Sequence, residues 1–177
     1  MERELLLLGI LRAQRMHGYK LNDFLERRYD FVTDLKPSTA YYLLDRLAAD
    51  GYVQMRYEQV GNRPQRRVYE ITPGGEAHFF ELLRLNLSGR TPPVYADEVG
   101  LAFIDELSLP ETLASLQLKR QLLQTEMERL LAFENVLRTG SGGGVHRALD
   151  HHLTLTRAEL AWLDTLLAEL ASHQEAQ

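Results

Sequence analysis

The sequence predicts a mainly α-helical protein in two parts, and three observations lead to that prediction. The first is a short amphipathic helix with clear start and stop residues between Pro37 and Gly51. The second is the change after that helix, from a helical period to the two-residue period of strands. The third is a leucine seam near the end of the chain, whose steps alternate between four and three residues. We therefore expect three helices plus a two-stranded hairpin, followed by an all-helical region.

The composition limits the class of protein and its location. The chain has 177 residues, of which 45% are hydrophobic, and it has no cysteine, which excludes disulfides and thiolate chemistry. Its longest apolar run, Leu5 to Leu11, is far too short to span a membrane. The N-terminus lacks the basic and then apolar regions of a signal peptide. We therefore expect a cytoplasmic protein with no membrane partner.

Two helices are expected before the central one. The first covers Glu2 to Gln14, and Gly9 within it weakens the helix slightly or lets another part of the chain approach closely. Gly18 can end this segment, and the second helix then runs from Tyr19 to Arg28. The inward-facing positions expected in the first helix are Leu5, Leu8 and Leu11 or Ala13.

The central helix separates its residue types onto two faces. Pro37 suits the entry to a helix, Ser38 can cap it, and Gly51 suits a left-handed exit. A polar face with hydroxyl groups and a cation is suited to binding DNA in the major groove. The apolar face carries Ala40, Leu43, Leu44 and Leu47, and the polar face carries Thr39, Tyr42, Asp45 and Arg46, with Tyr41 at the boundary.

A basic hairpin follows the central helix. Residues 52–58 and 67–71 alternate as strands, and Gly61 and Asn62 supply the turn between them. Arg63, Arg66 and Arg67 lie within five positions of this hairpin. Three helices and such a hairpin make a winged helix-turn-helix, in which one helix contacts bases and the wing lies on the neighbouring backbone or minor groove. Two simpler interpretations remain open: the hairpin could be an ordinary solvated turn, and Arg46 could pair with Asp50 four residues on.

The charge distribution is compatible with DNA binding although the whole chain is acidic. The formal net charge is -5, but residues 1–75 carry a balance of +2 and residues 76–177 a balance of -7. Only the surface that contacts DNA has to be positive, because only there are phosphates neutralised.

A further helix is expected to close the first domain. It starts at Thr72 and runs to about Leu87. The segment from Ser88 to Pro93 is rich in turn residues, so we place the domain boundary there. The domains are then a DNA-binding domain over residues 1–90 and a dimerisation and effector-sensing domain over residues 91–177. The inward positions expected in the closing helix are Ala77, Phe80, Leu83 and Leu87.

The second domain is expected to be all-helical and to form a dimer. A short helix around Asp97 to Leu107 precedes a capping box from Ser108 to Glu111 and a long helix to Arg138. Gly140 to Gly144 read as a flexible turn, since no strand precedes them and no Gly-Lys-Ser/Thr follows. The last helix runs from about Val145 to Ser172, and its apolar face is long enough to need cover from a second subunit. Two stripes support this: Leu113, Leu116, Leu123, Met127, Leu130 and Leu137, and the seam of Leu149, Leu153, Thr156, Leu160, Leu163, Leu167 and Leu170.

Other chemistry finds little support in the sequence. Trp162, beside the seam, is either a packing residue of the dimer or the wall of an aromatic-lined effector pocket. His146, His151 and His152 lie close together, but no carboxylate completes a helical metal site, so we expect no metal and no cofactor. We find no catalytic motif, and we expect that the protein is not an enzyme.

The first half of the chain resembles the PadR-type transcriptional regulators. The matching pieces are the leucine-rich residues 5–11, His17-Gly18-Tyr19, Ser38-Thr39-Ala40-Tyr41 with Leu44, Leu47 and Gly51, and residues 66–72 with Gly74 or Gly75. Ala40 and Tyr42 stand where the family usually has a leucine and a proline. The resemblance implies a winged-helix repressor that acts as a homodimer through its C-terminal helices and leaves DNA when a small, often aromatic, molecule or a stress signal is sensed. It also implies that Ser38, Thr39, Tyr41, Arg63, Arg66 and Arg67 contact DNA.

Together, these observations predict a dimeric repressor of an inverted-repeat operator. The alternative is a winged-helix module that docks an acidic protein partner through the same surface. The predicted DNA-binding residues are Lys36, Ser38, Thr39, Tyr41, Tyr42, Arg46, Arg63, Arg66 and Arg67, and Trp162 is the predicted effector-binding residue.

Overall fold

The computed structural model of the chain describes residues 1–13, 16–17, 33, 35–59, 65–89, 98–137 and 143–175. The chain divides into two compact units, Met1–Pro92 and Pro93–Gln177. Three expected features lie outside the described residues: the second helix, the turn at Gly61 and Asn62, and Arg63.

The first unit contains helices packed with a three-stranded antiparallel sheet. The strand order is β1-β3-β2, and the long hairpin pairs Val53 with Ile71 at one end and Glu58 with Arg66 at the other. The expected two-stranded hairpin thus gains a third, two-residue strand at Met16–His17, where the sequence indicated only a break between helices. The described elements are α1 Glu2–Ala13, β1 Met16–His17, α2 Pro37–Ala49, β2 Val53–Glu58, β3 Arg66–Ile71 and α3 Pro73–Ser88.

The core of this unit forms where α1, α2 and the sheet meet. The apolar face expected for α2 is confirmed, because its four residues are all buried. In α1, Leu8 and Leu11 are buried as expected, whereas Ala13 is exposed and Leu5 only half-buried. Leu7 and Ile10 are also buried, because α1 contacts α2, α3 and β3 and so needs a wider apolar surface than one stripe.

The start of α2 differs from the expectation, and its end agrees with it. Lys36 is the N-cap residue, and its side chain makes no capping hydrogen bond; Ser38 lies inside the helix. Pro37 explains the shift, since proline at the first helical position already supplies the required φ and has no N–H to be satisfied. At the other end, Gly51 adopts a φ of +79°, the left-handed conformation expected of it.

Helix α3 starts as expected but turns a different face inward. Thr72 is its N-cap, with the hydroxyl oxygen accepting a hydrogen bond from the Gly75 amide at 3.0 Å. Leu82 is buried and Phe79 packs against the core, so the expectation for Ala77, Phe80 and Leu87, which are all exposed, was wrong by about one residue step. The cause is α1, where a Cβ atom on Gly9 would lie 3.1 Å from the Phe79 ring. Gly9 therefore admits the Phe79 side chain.

The second unit is built on two long helices that pack together. Ser108 and Glu111 form the expected capping box, in which the Glu111 carboxylate accepts from the Ser108 amide at 3.1 Å and from its hydroxyl. The last helix begins at Gly143, so part of the expected glycine turn is helical. The elements are α4 Glu98–Ala102, a 3-10 helix Ile104–Glu106, α5 Leu109–Leu137 and α6 Gly143–Glu175.

The expected seam of α6 is inside this helix pair. Four residues of the seam are buried: Leu149, Leu153, Thr156 and Leu163. The other three, Leu160, Leu167 and Leu170, are half-buried. Ion pairs also join the two helices, from Lys119 to Glu159 with N–O at 3.1 Å and from Arg120 to Asp164. Large apolar side chains nevertheless stay exposed on the pair: Leu118, Leu122 and Leu131 of α5, and Leu155 and Trp162 of α6.

Candidate nucleic-acid interface

The outer face of α2 presents the polar residues that the sequence placed there. Tyr42 is 66% exposed, although it is a large aromatic residue. Lys36 and Ser38 are exposed at the N-terminal end of the helix. Thr39 and Tyr41 are half-buried, and the Tyr41 ring packs against the core cluster. The predicted contact residues from Lys36 to Tyr42 therefore lie at the N-cap and in the first half of α2, with Arg46 in its last turn, and they differ in exposure.

Arg46 is bound to an acidic residue of α1. Its guanidinium donates a hydrogen bond to a carboxylate oxygen of Glu4. The Glu4 side chain is only 14% exposed, whereas that of Arg46 is half-exposed. The pairing of Arg46 with Asp50 that the sequence left open is thus replaced by a contact that spans 42 positions. This ion pair connects α2 to α1.

Arg67 is bound to an acidic residue of α2. Its Nη1 atom lies 3.4 Å and 3.5 Å from the two carboxylate oxygens of Asp45. The buried Tyr69 also reaches Asp45, with its hydroxyl donating to Oδ1 at 3.4 Å. Asp45 therefore links the outer face of α2 to strand β3 of the wing.

The environment of Tyr69 keeps its hydroxyl protonated. Burial raises the pKa of Tyr69 above its ordinary value, and Asp45 acts in the same direction, while Arg67 opposes them. The pKa of Arg67 is also raised, chiefly by its hydrogen bond with Tyr69. At neutral pH, Tyr69 is therefore a hydrogen-bond donor and Arg67 a cation.

The rest of the wing adds polar groups on the same sheet. Arg66 is half-buried and lies opposite Glu58 in the strand register. Sequence reasoning did not select Arg56 and Tyr57, yet both are exposed on β2. The Arg56 guanidinium donates to the Gln54 side-chain oxygen at 2.7 Å. Successive strand residues point to opposite faces, so the exposure of both shows that this end of β2 is uncovered on either face, which an alternating pattern could not have indicated.

The comparisons with known proteins bear directly on this part of the chain. Residues 7–81 match the model of the "Transcriptional regulator PadR-like family". These residues form a PadR-like domain. The match covers α2, both long strands of the wing and most of α3, so every predicted DNA-binding residue lies within it.

Known proteins also match the chain over nearly its full length. The negative transcriptional regulator PadR of Bacillus subtilis is 25% identical over 92% of this chain and 93% of its own. A crystal structure of that regulator in complex with operator DNA has a TM-score of 0.82 at 19% identity and covers 96% of this chain and 99% of its own. The same regulator with p-coumaric acid has a TM-score of 0.78 at 20% identity and covers 95% and 98%. At these identities the structures show a shared fold.

A small pocket lies in the second unit, outside the PadR-like match. It has a volume of about 320 Å³, and Trp162, which is 46% exposed, forms one wall. The ion pair of Lys119 and Glu159 also lines it. Its lining residues are Glu98, Leu101, Lys119, Leu155, Ala158, Glu159 and Trp162.

Neither a metal site nor a membrane span is found in the described part of the chain. There, no three histidine, aspartate or glutamate side chains lie close enough together to hold a metal ion. None of the helices described is both long and apolar enough to cross a membrane.

Proposed function

We propose that this chain is a sequence-specific DNA-binding transcriptional regulator, acting as a homodimeric repressor of an inverted-repeat operator. The observation that carries the proposal is the polar outer face of α2, which lies beside a basic wing inside a PadR-like domain. The relatives named above are transcriptional regulators, which favours DNA over an acidic protein partner. Such a protein acts in the cytoplasm, where operator DNA lies, and requires no catalytic step or cofactor.

The exposure of each residue suggests its role on DNA. Tyr42, the most exposed of the outer-face aromatic residues, approaches base edges. Lys36 and Ser38 reach phosphates from the N-terminal end of α2, where backbone amides also favour an anion. Thr39 and Tyr41, which are half-buried, contribute their hydroxyl groups to the adjacent backbone. Arg46, Arg63, Arg66 and Arg67 complete the proposed contact set.

A second copy of the chain covers the exposed apolar residues of the long helices. Leu122 is 64% exposed on α5, and removing such side chains from water stabilises an interface. Leu122→Lys should therefore shift the protein towards monomer in analytical ultracentrifugation. Gln124→Lys is the matched control, because it adds the same charge to the other side of α5. A wild-type chain that is monomeric at micromolar concentration would exclude the dimer.

The Trp162 pocket is the proposed site for a small aromatic effector. The regulator of Bacillus subtilis named above has been crystallised with p-coumaric acid, an aromatic molecule. Trp162 is the only tryptophan of the chain, so its fluorescence reports directly on this pocket. A ligand of this site should quench the fluorescence and release DNA, and Trp162→Ala should abolish the release while leaving DNA binding itself unchanged.

The main experiment identifies the operator by selection from a random pool of duplexes. Purified protein retains the duplexes that it binds, and the enriched sequences are tested in gel retardation. We expect an inverted repeat whose half-sites are about one DNA turn apart, roughly 34 Å. Tyr42→Ala should weaken binding to the selected duplex, whereas Ser88→Ala, at the end of α3, should not. If no duplex is retarded at low salt, the proposal is wrong.

A further inference from the structure

Two arginines of the proposed DNA-binding surface are already paired with carboxylates, but the two pairs differ in burial. The Glu4 carboxylate that holds Arg46 is only 14% exposed, although the Arg46 side chain itself is 52% exposed. The Asp45 side chain that holds Arg67 is 55% exposed, and Arg67 itself is 46% exposed. Exposed pairs at long distances are weak and exchange readily with other ions. Arg67 can therefore leave its carboxylate more readily than Arg46 can.

We propose that Asp45 is an internal competitor for Arg67 and thereby a specificity-determining residue of the DNA-binding surface. In the protein without DNA, the Asp45 carboxylate is paired with the Arg67 guanidinium, which a phosphate would otherwise bind. The inference rests on the proposed function, since it concerns how the same surface treats operator and non-operator DNA. It gives an acidic residue of α2 a role on a surface whose other proposed contacts are basic, hydroxyl or aromatic groups.

The charge of the pair explains how the competition works. A cation bound to a phosphate displaces counterions from DNA, and this release supplies essentially all of non-specific binding. The Arg67–Asp45 pair carries no net charge, so it releases no counterion when the surface meets random DNA. The Asp45 carboxylate also repels nearby phosphates. Random DNA therefore gains little from Arg67.

An operator changes the balance because α2 docks fully in the groove. Base contacts made by the helix then hold the wing next to the backbone, where a phosphate competes with Asp45 at high effective concentration. The Arg67 guanidinium then leaves the Asp45 carboxylate and binds the phosphate. Random DNA lacks the base contacts that offset the cost of breaking the ion pair, so the operator gains a phosphate contact with Arg67 that random DNA does not.

Tyr69 holds the Asp45 side chain close to Arg67. Its hydroxyl donates to the same oxygen, Oδ1, that faces Arg67, and its ring is fully buried. A buried ring cannot follow the carboxylate into solvent, so it favours the Asp45 rotamer that meets Arg67. Tyr69→Phe should accordingly move DNA binding in the same direction as loss of Asp45, by a smaller amount.

The test compares Asp45→Asn with Asp50→Asn, which removes the same charge at the C-cap of the same helix. Fluorescence anisotropy measures binding to a random duplex and to the selected operator over a series of salt concentrations. For Asp45→Asn, we expect a salt slope on random duplex that is steeper by about one, as one more phosphate contact predicts. Its affinity for random duplex should rise about threefold to tenfold at low salt, and its operator-to-random ratio should fall. Asp50→Asn should leave the slope and the ratio near wild type.

A double-mutant cycle with Arg67→Ala assigns the effect to the pair. In the wild-type background, Arg67→Ala leaves the Asp45 carboxylate unpaired and should weaken random-duplex binding modestly. In the Asp45→Asn background, Arg67→Ala should return the salt slope to the wild-type value. Equal slopes for Asp45→Asn and Asp50→Asn, or a gain that survives Arg67→Ala, would overturn the inference. If wild type and all variants fail to bind any duplex, the proposed function itself fails. Thermal unfolding of each variant separates lost folding from altered binding.

Discussion

The Thr72 hydroxyl joins the residue that follows the end of α2 to the start of α3, and its removal gives a quantitative prediction. The oxygen accepts from the Gly75 amide at 3.0 Å and donates to the Gly51 carbonyl at 2.8 Å. Thr72→Val keeps the shape of the side chain but loses both hydrogen bonds. An N-cap contributes about 1 kcal/mol and a second hydrogen bond about as much, so we expect a loss of about 2 kcal/mol.

This loss should be visible as a lower melting temperature of the first unit. For a domain of 60–100 residues, 1 kcal/mol corresponds to about 4–8 °C, so the shift expected for Thr72→Val is roughly 8–16 °C. Circular dichroism during thermal and urea unfolding measures it. Thr72→Ser retains the oxygen and should restore most of the stability.

A matched control separates the two specific bonds from a general effect of losing a hydroxyl. Thr154→Val also replaces threonine by valine, but the Thr154 hydroxyl donates only to the Asp150 carbonyl of its own helix. We expect little change from this control. Equal melting temperatures for Thr72→Val and Thr154→Val would refute the assigned role of Thr72.

Three further changes have expected outcomes that follow from single contacts. Gly51→Ala should cost about 1–2 kcal/mol in urea unfolding, because a Cβ is strained at a φ of +79° although no atom lies within 4 Å of it. Gly75→Ala should destabilise more strongly by the same assay, since the added Cβ would lie 2.0 Å from the Tyr52 carbonyl oxygen. Hydrogen bonds from Ser108 lower the pKa of Glu111 below its ordinary value of 4.5, so its contribution is present above that value and is lost as pH falls through the lowered pKa. Glu111→Gln should therefore flatten the acid limb of the stability curve, measured by circular dichroism between about pH 5 and pH 2.

The features that the sequence predicted correctly are local ones. The buried face of α2 follows from apolar residues at three- and four-residue steps, and Gly51 marks its end because glycine tolerates the left-handed conformation. The Ser108–Glu111 capping box needs only the right residues three positions apart. Each of these signals is complete within one or two helical turns.

The features that the sequence did not predict depend on contacts with residues far away along the chain. The choice between Phe79 and Phe80 as the inward residue of α3 is made by α1, through the space left at Gly9. Strand β1 exists only because Met16 and His17 meet β3, about fifty positions later. A strand of two residues is too short to show an alternating pattern, so no sequence pattern could have indicated β1.

The same argument applies to the candidate site. The sequence supplies the cations and places them on α2 and the wing, yet it cannot tell which carboxylate each will meet. Arg46 meets Glu4 across 42 positions, and Arg67 meets Asp45 across 22. In both cases the sheet and helix packing decide the partner, because ion pairs form between whichever opposite charges the fold brings together.

These pairs explain how an acidic chain could bind DNA selectively. Residues 1–75 have a formal balance of only +2, and Arg46 and Arg67 of the candidate surface are bound to carboxylates of the same unit. Electrostatic attraction to random DNA should then be weak, since it grows with the number of phosphates that a surface neutralises. In the proposed function, affinity then comes mainly from base contacts made by α2 and from the simultaneous binding of two subunits to one duplex. Weak general attraction therefore makes the protein more dependent on operator sequence, and a surface of this kind gains discrimination from the carboxylates that lower its charge.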